Sequence, residues 1–128
     1  MSDTHGMIWW SELMTREPEA ATAYYGSVAG WTFADMPMEG GAYMVASREG
    51  RPVAGIMDMT DLPGMDELPP HWFTYIAVDD VEAAVAATLA AGGAVIKDVF
   101  SVPEVGRIAI ISDPTGAALG IMTPVRPA

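Results

Sequence analysis

The chain repeats itself, and the repeat restricts the fold more than any other feature. Trp9-Trp10 recurs 63 residues later as Trp72-Phe73. At that offset Glu19-Ala20-Ala21 falls on Glu82-Ala83-Ala84, Ala23 on Ala86 and Gly30 on Gly93. Two inserted residues change the offset to 65, and Ser47 then falls on Ser112 and Gly55-Ile56-Met57 on Gly120-Ile121-Met122. Alanines coincide easily in an alanine-rich chain. An aromatic pair and a Gly-Ile-Met triplet, in the same order at nearly the same spacing, do not. A segment of this size that occurs twice reads as one supersecondary module, duplicated.

Both copies carry the same local signals. Ile8 to Met14 is a short β-favouring run, followed by Arg16-Glu17-Pro18-Glu19, with acids at a helix start and a proline that the first turn tolerates. Ala21, Tyr24, Tyr25 and Val28 then fall on one helical face, and Gly30 closes the helix as a left-handed cap. In the second copy Trp72 to Val78 is the strand, and Asp79 with Glu82 resembles a capping box. Val81, Ala84, Val85, Thr88 and Leu89 form the stripe there, and Gly92-Gly93 ends it. Three strand-like runs follow each helix: Trp31 to Ala34, Ala42 to Ser47 and Pro52 to Met57, then Ala94 to Val99, Arg107 to Ser112 and Ala117 to Met122. The last two of each set are joined by turn chemistry, Arg48-Glu49-Gly50-Arg51 and Asp113-Pro114-Thr115-Gly116. The reading is α+β: two βαβββ modules, 5–59 and 71–124, joined by a proline-rich acidic linker at 60–70 within a single domain, 1–128. Neither module buries its sheet alone, so the two are expected to pair.

Composition narrows the partners. Six Lys and Arg against 17 Asp and Glu leave a formal net charge of −11, which repels phosphate backbones and anionic headgroups and suits a cationic ligand. Nucleic acid and membrane are therefore not expected as partners. With no cysteine, disulfides, thiolate metal sites and cysteine nucleophiles are excluded. No basic region followed by an apolar run opens the chain, and no stretch approaches the length of a membrane span, so a cytoplasmic protein is expected. No Gly-X-Ser-X-Gly turn and no phosphate-cradling glycine loop is present; Gly40-Gly41 reads as an ordinary turn pair.

Two such modules in about 130 residues resemble the vicinal oxygen chelate superfamily, which includes glyoxalases, extradiol dioxygenases and the fosfomycin- and bleomycin-resistance proteins. The resemblance rests on Glu17-Pro18-Glu19-Ala20-Ala21-Thr22-Ala23-Tyr24-Tyr25 leading to Gly30-Trp31, on Val78-Asp79-Asp80-Val81-Glu82-Ala83-Ala84, and on Asp113-Pro114-Thr115-Gly116, in that order. It implies modules curled around a cleft, and a homodimer. It also implies metal ligands on the first and fourth strands of each module. Counted from the motifs, those positions hold Trp10, Gly55, Phe73 and Gly120. None of these side chains offers an oxygen or imidazole donor, so no metal and no other cofactor is expected. A displaced set of His5, Glu12, His71 and Tyr75 is the alternative.

What remains is an apolar, aromatic-walled site. Strand alternation turns Trp10, Glu12 and Met14 inward, with Phe73, Tyr75 and Ala77 as their counterparts, and adds Met57 and Met122 beside the glycines. Glu12 is the one carboxylate on that face, and it needs a partner: it is a candidate general base, an anchor for a cation, or half of an ion pair with Arg107. The expected activity is binding of a small aromatic or amphipathic molecule without a metal, as in the bleomycin-resistance binders. The alternative is a lyase, isomerase or dioxygenase-type enzyme working through Glu12 or a displaced metal. Whether the protein turns a substrate over stays open at this level.

Overall fold

The computed structural model describes residues 3–36, 43–60, 62, 67–103 and 105–125. The Gly40-Gly41 pair, the start of the expected strand at Ala42 and linker residues 61 and 63–66 lie outside them. Ten elements follow the repeat. They are β1 (Ile8–Thr15), α1 (Pro18–Ala29), β2 (Thr32–Met36), β3 (Tyr43–Arg48) and β4 (Arg51–Asp58), then β5 (His71–Ala77), α2 (Val81–Ala90), β6 (Ala94–Val102), β7 (Gly106–Ser112) and β8 (Ala118–Pro124). The fold is mixed α+β, a βαβββ module twice, as the repeat requires. None of the described helices is long and apolar enough to cross a membrane.

The chain forms two compact units, Trp10–Phe73 and Met1–Trp9 with Thr74–Ala128. This division crosses the expected module boundary at residue 5. The N-terminal segment lies with the second module for a local reason: the Gly6 amide donates to the Ala77 carbonyl and the Ala77 amide to that of Met7, at 2.7 and 2.9 Å.

In the unit Trp10–Phe73 the strands run in the order β2-β3-β4-β1, antiparallel except for the parallel pair of β1 and β4. The β3–β4 hairpin turns through Glu49 and Gly50, both at positive φ (50° and 82°), the conformation of a type I′ turn. The other unit repeats the order as β6-β7-β8-β5, with β5 and β8 parallel. The duplication holds to the residue, since Glu12 stands opposite Gly55 in one ladder and Tyr75 opposite Gly120 in the other.

Each helix packs on one face of its sheet. On α2 the sequence stripe is correct apart from its end. Val81, Ala84 and Val85 join Ala109, Ile111 and Ile121 in an apolar core, whereas Leu89 is 55% exposed. The cap differs as well: Asp80, one residue beyond the expected Asp79, accepts from the Ala83 amide at 3.1 Å. On α1 the stripe is displaced. Tyr24 and Val28 are exposed, and the half-buried positions are Pro18, Ala21, Thr22, Tyr25 and Gly26. Aromatic rings fix this helix rather than an aliphatic stripe. Tyr25 stacks on Trp31, and Trp72 meets both rings edge-on while its indole donates to the Tyr25 hydroxyl at 3.1 Å. Periodicity alone weights Tyr24 and Tyr25 equally; the position of Trp31 and Trp72 selects Tyr25.

Candidate functional site

The two faces of each sheet differ. One carries the helix. The other, in the unit Trp10–Phe73, presents Trp10, Glu12 and Met14 from β1, Gly55 and Met57 from β4 and Tyr43 and Val45 from β3. Directly opposed residues share a face, and Glu12 stands opposite Gly55, Met14 opposite Met57, and Tyr43 opposite Met57. The expected first-module site residues Trp10, Glu12, Gly55 and Met57 therefore come together on the helix-free face.

Tyr43 organises that face. Its phenol lies across Gly55, and a Cβ built on Gly55 would overlap the phenol oxygen and ring carbon and stand 3.1 Å from the Trp10 indole nitrogen. The indole N–H of Trp10 donates to the Tyr43 hydroxyl at 3.0 Å, and the hydroxyl in turn donates to the Glu12 carboxylate. Burial and then the charge of Glu12 push the Tyr43 phenol well above its ordinary value, so it stays protonated at any physiological pH. Glu12 is 9% exposed and Tyr43 8%. A buried carboxylate costs free energy unless it is hydrogen-bonded, and Tyr43 supplies that bond to Glu12.

Tyr43 was not among the expected site residues. Its repeat counterpart, Ile108, is apolar, so the duplication gives no hint. Counting back from the opposed pair Arg48 and Arg51 sets Tyr43 opposite Ile56, on the helix-bearing side. A bulge between Ala46 and Ser47 shifts the register by one residue and brings Tyr43 opposite Met57. A one-residue shift changes the face of every residue beyond it, and the one residue type that marks it is Pro52, opposite Ser47 at the shift, since a proline within a flanked strand sits at a bulge.

In the other unit the helix-free face presents Tyr75, Ala77, Gly120, Met122, Ile108 and Ile110. Here the ring at the position equivalent to Glu12 does the filling itself, because a Cβ on Gly120 would overlap the Tyr75 ring. Met122 is 3% exposed and belongs to the core. Arg107 stands elsewhere. It shares the face of Ala109 and Ile121, which α2 packs on, and its guanidinium makes a two-pronged pair with Glu82 at 2.7 and 3.2 Å. Alternation across β7 decides this, since Ile108 and Ile110 point to the helix-free side and Arg107 does not. The carboxylate that the structure sets beside Arg107 is thus Glu82. Phe73 lies at the end of the unit Trp10–Phe73, its ring 6.5 Å from that of His71.

The positions where the resemblance implies metal ligands are Trp10, Gly55, Phe73 and Gly120. Trp10 and Phe73 offer rings, and Gly55 and Gly120 are covered by tyrosine rings, so these residues do not fit a divalent ion. Nor does the displaced set: among the described residues no three of His, Asp or Glu gather as a cation site. The Nδ1 atom of His5 accepts from the Asp79 amide at 2.9 Å, and that of His71 lies 2.7 Å from the Pro69 carbonyl. His5 is thereby anchored to the backbone ahead of α2.

Comparison with known proteins gives a consistent picture. The family model for the Glyoxalase/Bleomycin resistance protein/Dioxygenase superfamily matches residues 8–121. The protein CFP32 of Mycobacterium tuberculosis is 44% identical over 115 residues, which is 88% of this chain and 43% of that protein. Anthracycline biosynthesis protein DnrV of Streptomyces peucetius is 32% identical over 123 residues, 88% of this chain and 45% of that one. The chain thus spans a little under half the length of these curated relatives. Among solved structures, methylmalonyl-CoA epimerase from Mycobacterium tuberculosis has a TM-score of 0.69 at 14% identity, covering 98% of this chain and 93% of its own. The hypothetical protein BH1468 from Bacillus halodurans has a TM-score of 0.76 at 7% identity, covering 96% and 97%. At such identities the likeness is one of fold.

Proposed function

Because the chain belongs to the Glyoxalase/Bleomycin resistance protein/Dioxygenase superfamily, we propose that it binds a small aromatic or amphipathic organic molecule, without a metal, on the helix-free sheet face of Trp10, Glu12, Tyr43, Gly55 and Met57. The observation that carries the reading is the phenol of Tyr43 lying across Gly55, hydrogen-bonded to Trp10 and Glu12. A side chain that would ligate an ion from position 55 has no room there. The rings and the methionine supply the flat apolar contact that such ligands need, and a single buried carboxylate supplies polarity. A formal net charge of −11 favours a cationic molecule among the candidates. We place the protein in the cytoplasm, as a homodimer; light scattering on the purified chain tests the latter.

The reading is tested with divalent ions. After incubation with zinc, manganese or magnesium and exhaustive dialysis, the protein should retain no stoichiometric metal and show no change in melting temperature. One tightly held, stabilising ion per chain would overturn it.

A second reading has its own supporting observation. Glu12 is a buried carboxylate held by Tyr43, the arrangement of a fixed general base that takes a proton from a bound substrate without an ion. Glu12→Gln separates the two. In a sequestering protein the variant still binds ligand; in an enzyme turnover falls by about 10²–10⁴-fold, the usual contribution of a positioned base.

A further inference from the structure

We propose that the outward face of α1, centred on Tyr24, is the surface through which two copies of this chain associate, an inference that rests on the reading of the protein as a homodimer and names the face it uses. Tyr24 and Val28 stand one helical turn apart, 57% and 65% exposed, with Ala20, Ala23 and Ser27 exposed beside them. α1 packs on its own sheet through other positions, so these side chains add nothing to the chain's core. The Tyr24 ring meets that of Tyr25 edge-on at 4.9 Å, and Tyr25 in turn meets Trp72, which is 40% exposed. The patch is therefore continuous, and its rings are held in place before any partner arrives. Tyrosine and tryptophan are the side chains that most often dominate an interface, because a rigid ring covers much area at little cost in entropy.

Electrostatics point to a second copy as the occupant. In a twofold contact the same patch faces itself. With 17 acidic residues against six basic, a contact through a charged part of this chain brings acid against acid. The α1 face escapes this, because the fifteen residues from Ala20 to Ala34 carry no charge, the longest such run in the chain. Its nearest carboxylate on the helix, Glu19, lies in the first turn. In an antiparallel crossing about Tyr24 the two Glu19 side chains stand roughly 15 Å apart, ten residues at about 1.5 Å each, beyond the screening length of about 8 Å. Other exposed apolar residues form no comparable patch. Leu89 on α2 stands among alanines with no ring beside it, and Ile8 and Trp9 are neighbours on β1 that point to opposite sides of the strand.

Sedimentation and light scattering over a range of protein concentrations decide the matter. The wild-type chain should be a dimer. Tyr24→Glu and Val28→Glu each set a carboxylate into the apolar contact, and each should raise the dissociation constant by at least about thirtyfold, the loss expected when a central side chain of an interface is removed. Both positions are exposed, so the variants keep the monomer's fold, which circular dichroism checks. Leu89→Glu, an exposed apolar position on α2, should leave the constant within about twofold of wild type. Added sodium chloride should tighten the wild-type dimer, because salt screens the repulsion between two chains of formal charge −11 and the patch has no ion pair to lose. A dimer that survives both α1 variants, dissociates equally with Leu89→Glu, or loosens as salt is added overturns the inference and leaves the homodimer standing. A wild-type chain that is monomeric at every concentration overturns both and leaves the face to a different partner.

Discussion

Glu12 and Tyr43 depend on each other, and that dependence is measurable as stability. Tyr43→Phe leaves a buried carboxylate without the phenol's hydrogen bond, so a loss of about 1–3 kcal/mol is expected. The check is urea denaturation of the two proteins, read as a shift in midpoint at unchanged slope. Gly55→Ala attacks the same contact from below. Its Cβ would overlap the Tyr43 phenol, which has to move and give up its bonds to Trp10 and Glu12. Overpacking of this kind costs roughly 1–3 kcal/mol. If the alanine variant melts with the wild type, the phenol is not seated where the contacts put it. At this scale the sequence was only half informative. Trp10, Glu12, Gly55 and Met57 follow from strand alternation and the repeat, but Tyr43 does not, because a β-bulge sets its face and the repeat offers Ile108 in its place.

Among the secondary-structure elements, those whose signals are local were legible and those fixed by tertiary contacts were displaced. Strand and helix positions, the Glu49-Gly50 turn and the inner stripe of α2 follow from residue types within a few positions. The inner face of α1 does not, because Trp72, far along the chain, decides which tyrosine turns inward. Helix ends show how fine the local chemistry is. Asp80 caps α2 through the Ala83 amide, whereas Glu17 stands at the N-cap of α1 with no side-chain cap bond. Asp80→Ala should therefore lose about 1 kcal/mol, and Glu17→Ser should gain about 0.5–1 kcal/mol by satisfying an amide that lacks a cap. The hairpin gives a third handle. Glu49 adopts φ 50°, a conformation that costs a non-glycine residue roughly 1 kcal/mol and that asparagine tolerates best. Glu49→Asn should raise the melting temperature by a few degrees, whereas an unchanged or lower value would mean that the turn is not of the I′ type.

For the whole molecule, acidification acts in two opposite directions. The formal net charge is −11, so protonating carboxylates relieves mutual repulsion and favours the folded chain. At Asp58 and Asp113 it does the reverse. The Thr60 hydroxyl and then the Thr60 amide hold the Asp58 carboxyl below its ordinary value of 3.8. The Thr115 hydroxyl, followed by the amides of Ala117 and Thr115, does the same for Asp113. A carboxyl whose folded pKa is depressed adds stability that is complete above its unfolded value and lost as pH falls through the folded one. Both groups are half-buried at the surface and largely solvated, so each effect is small beside the general charge term, and the melting curve of the wild type mixes the two. A difference curve separates them. The double variant Asp58→Asn, Asp113→Asn keeps an acceptor in each turn but no charge. Its deficit in melting temperature relative to wild type should be largest above about pH 5 and should shrink steadily toward about pH 2. A deficit independent of pH would mean that these turns are held by their shape alone, with the net charge alone governing how the molecule responds to acid.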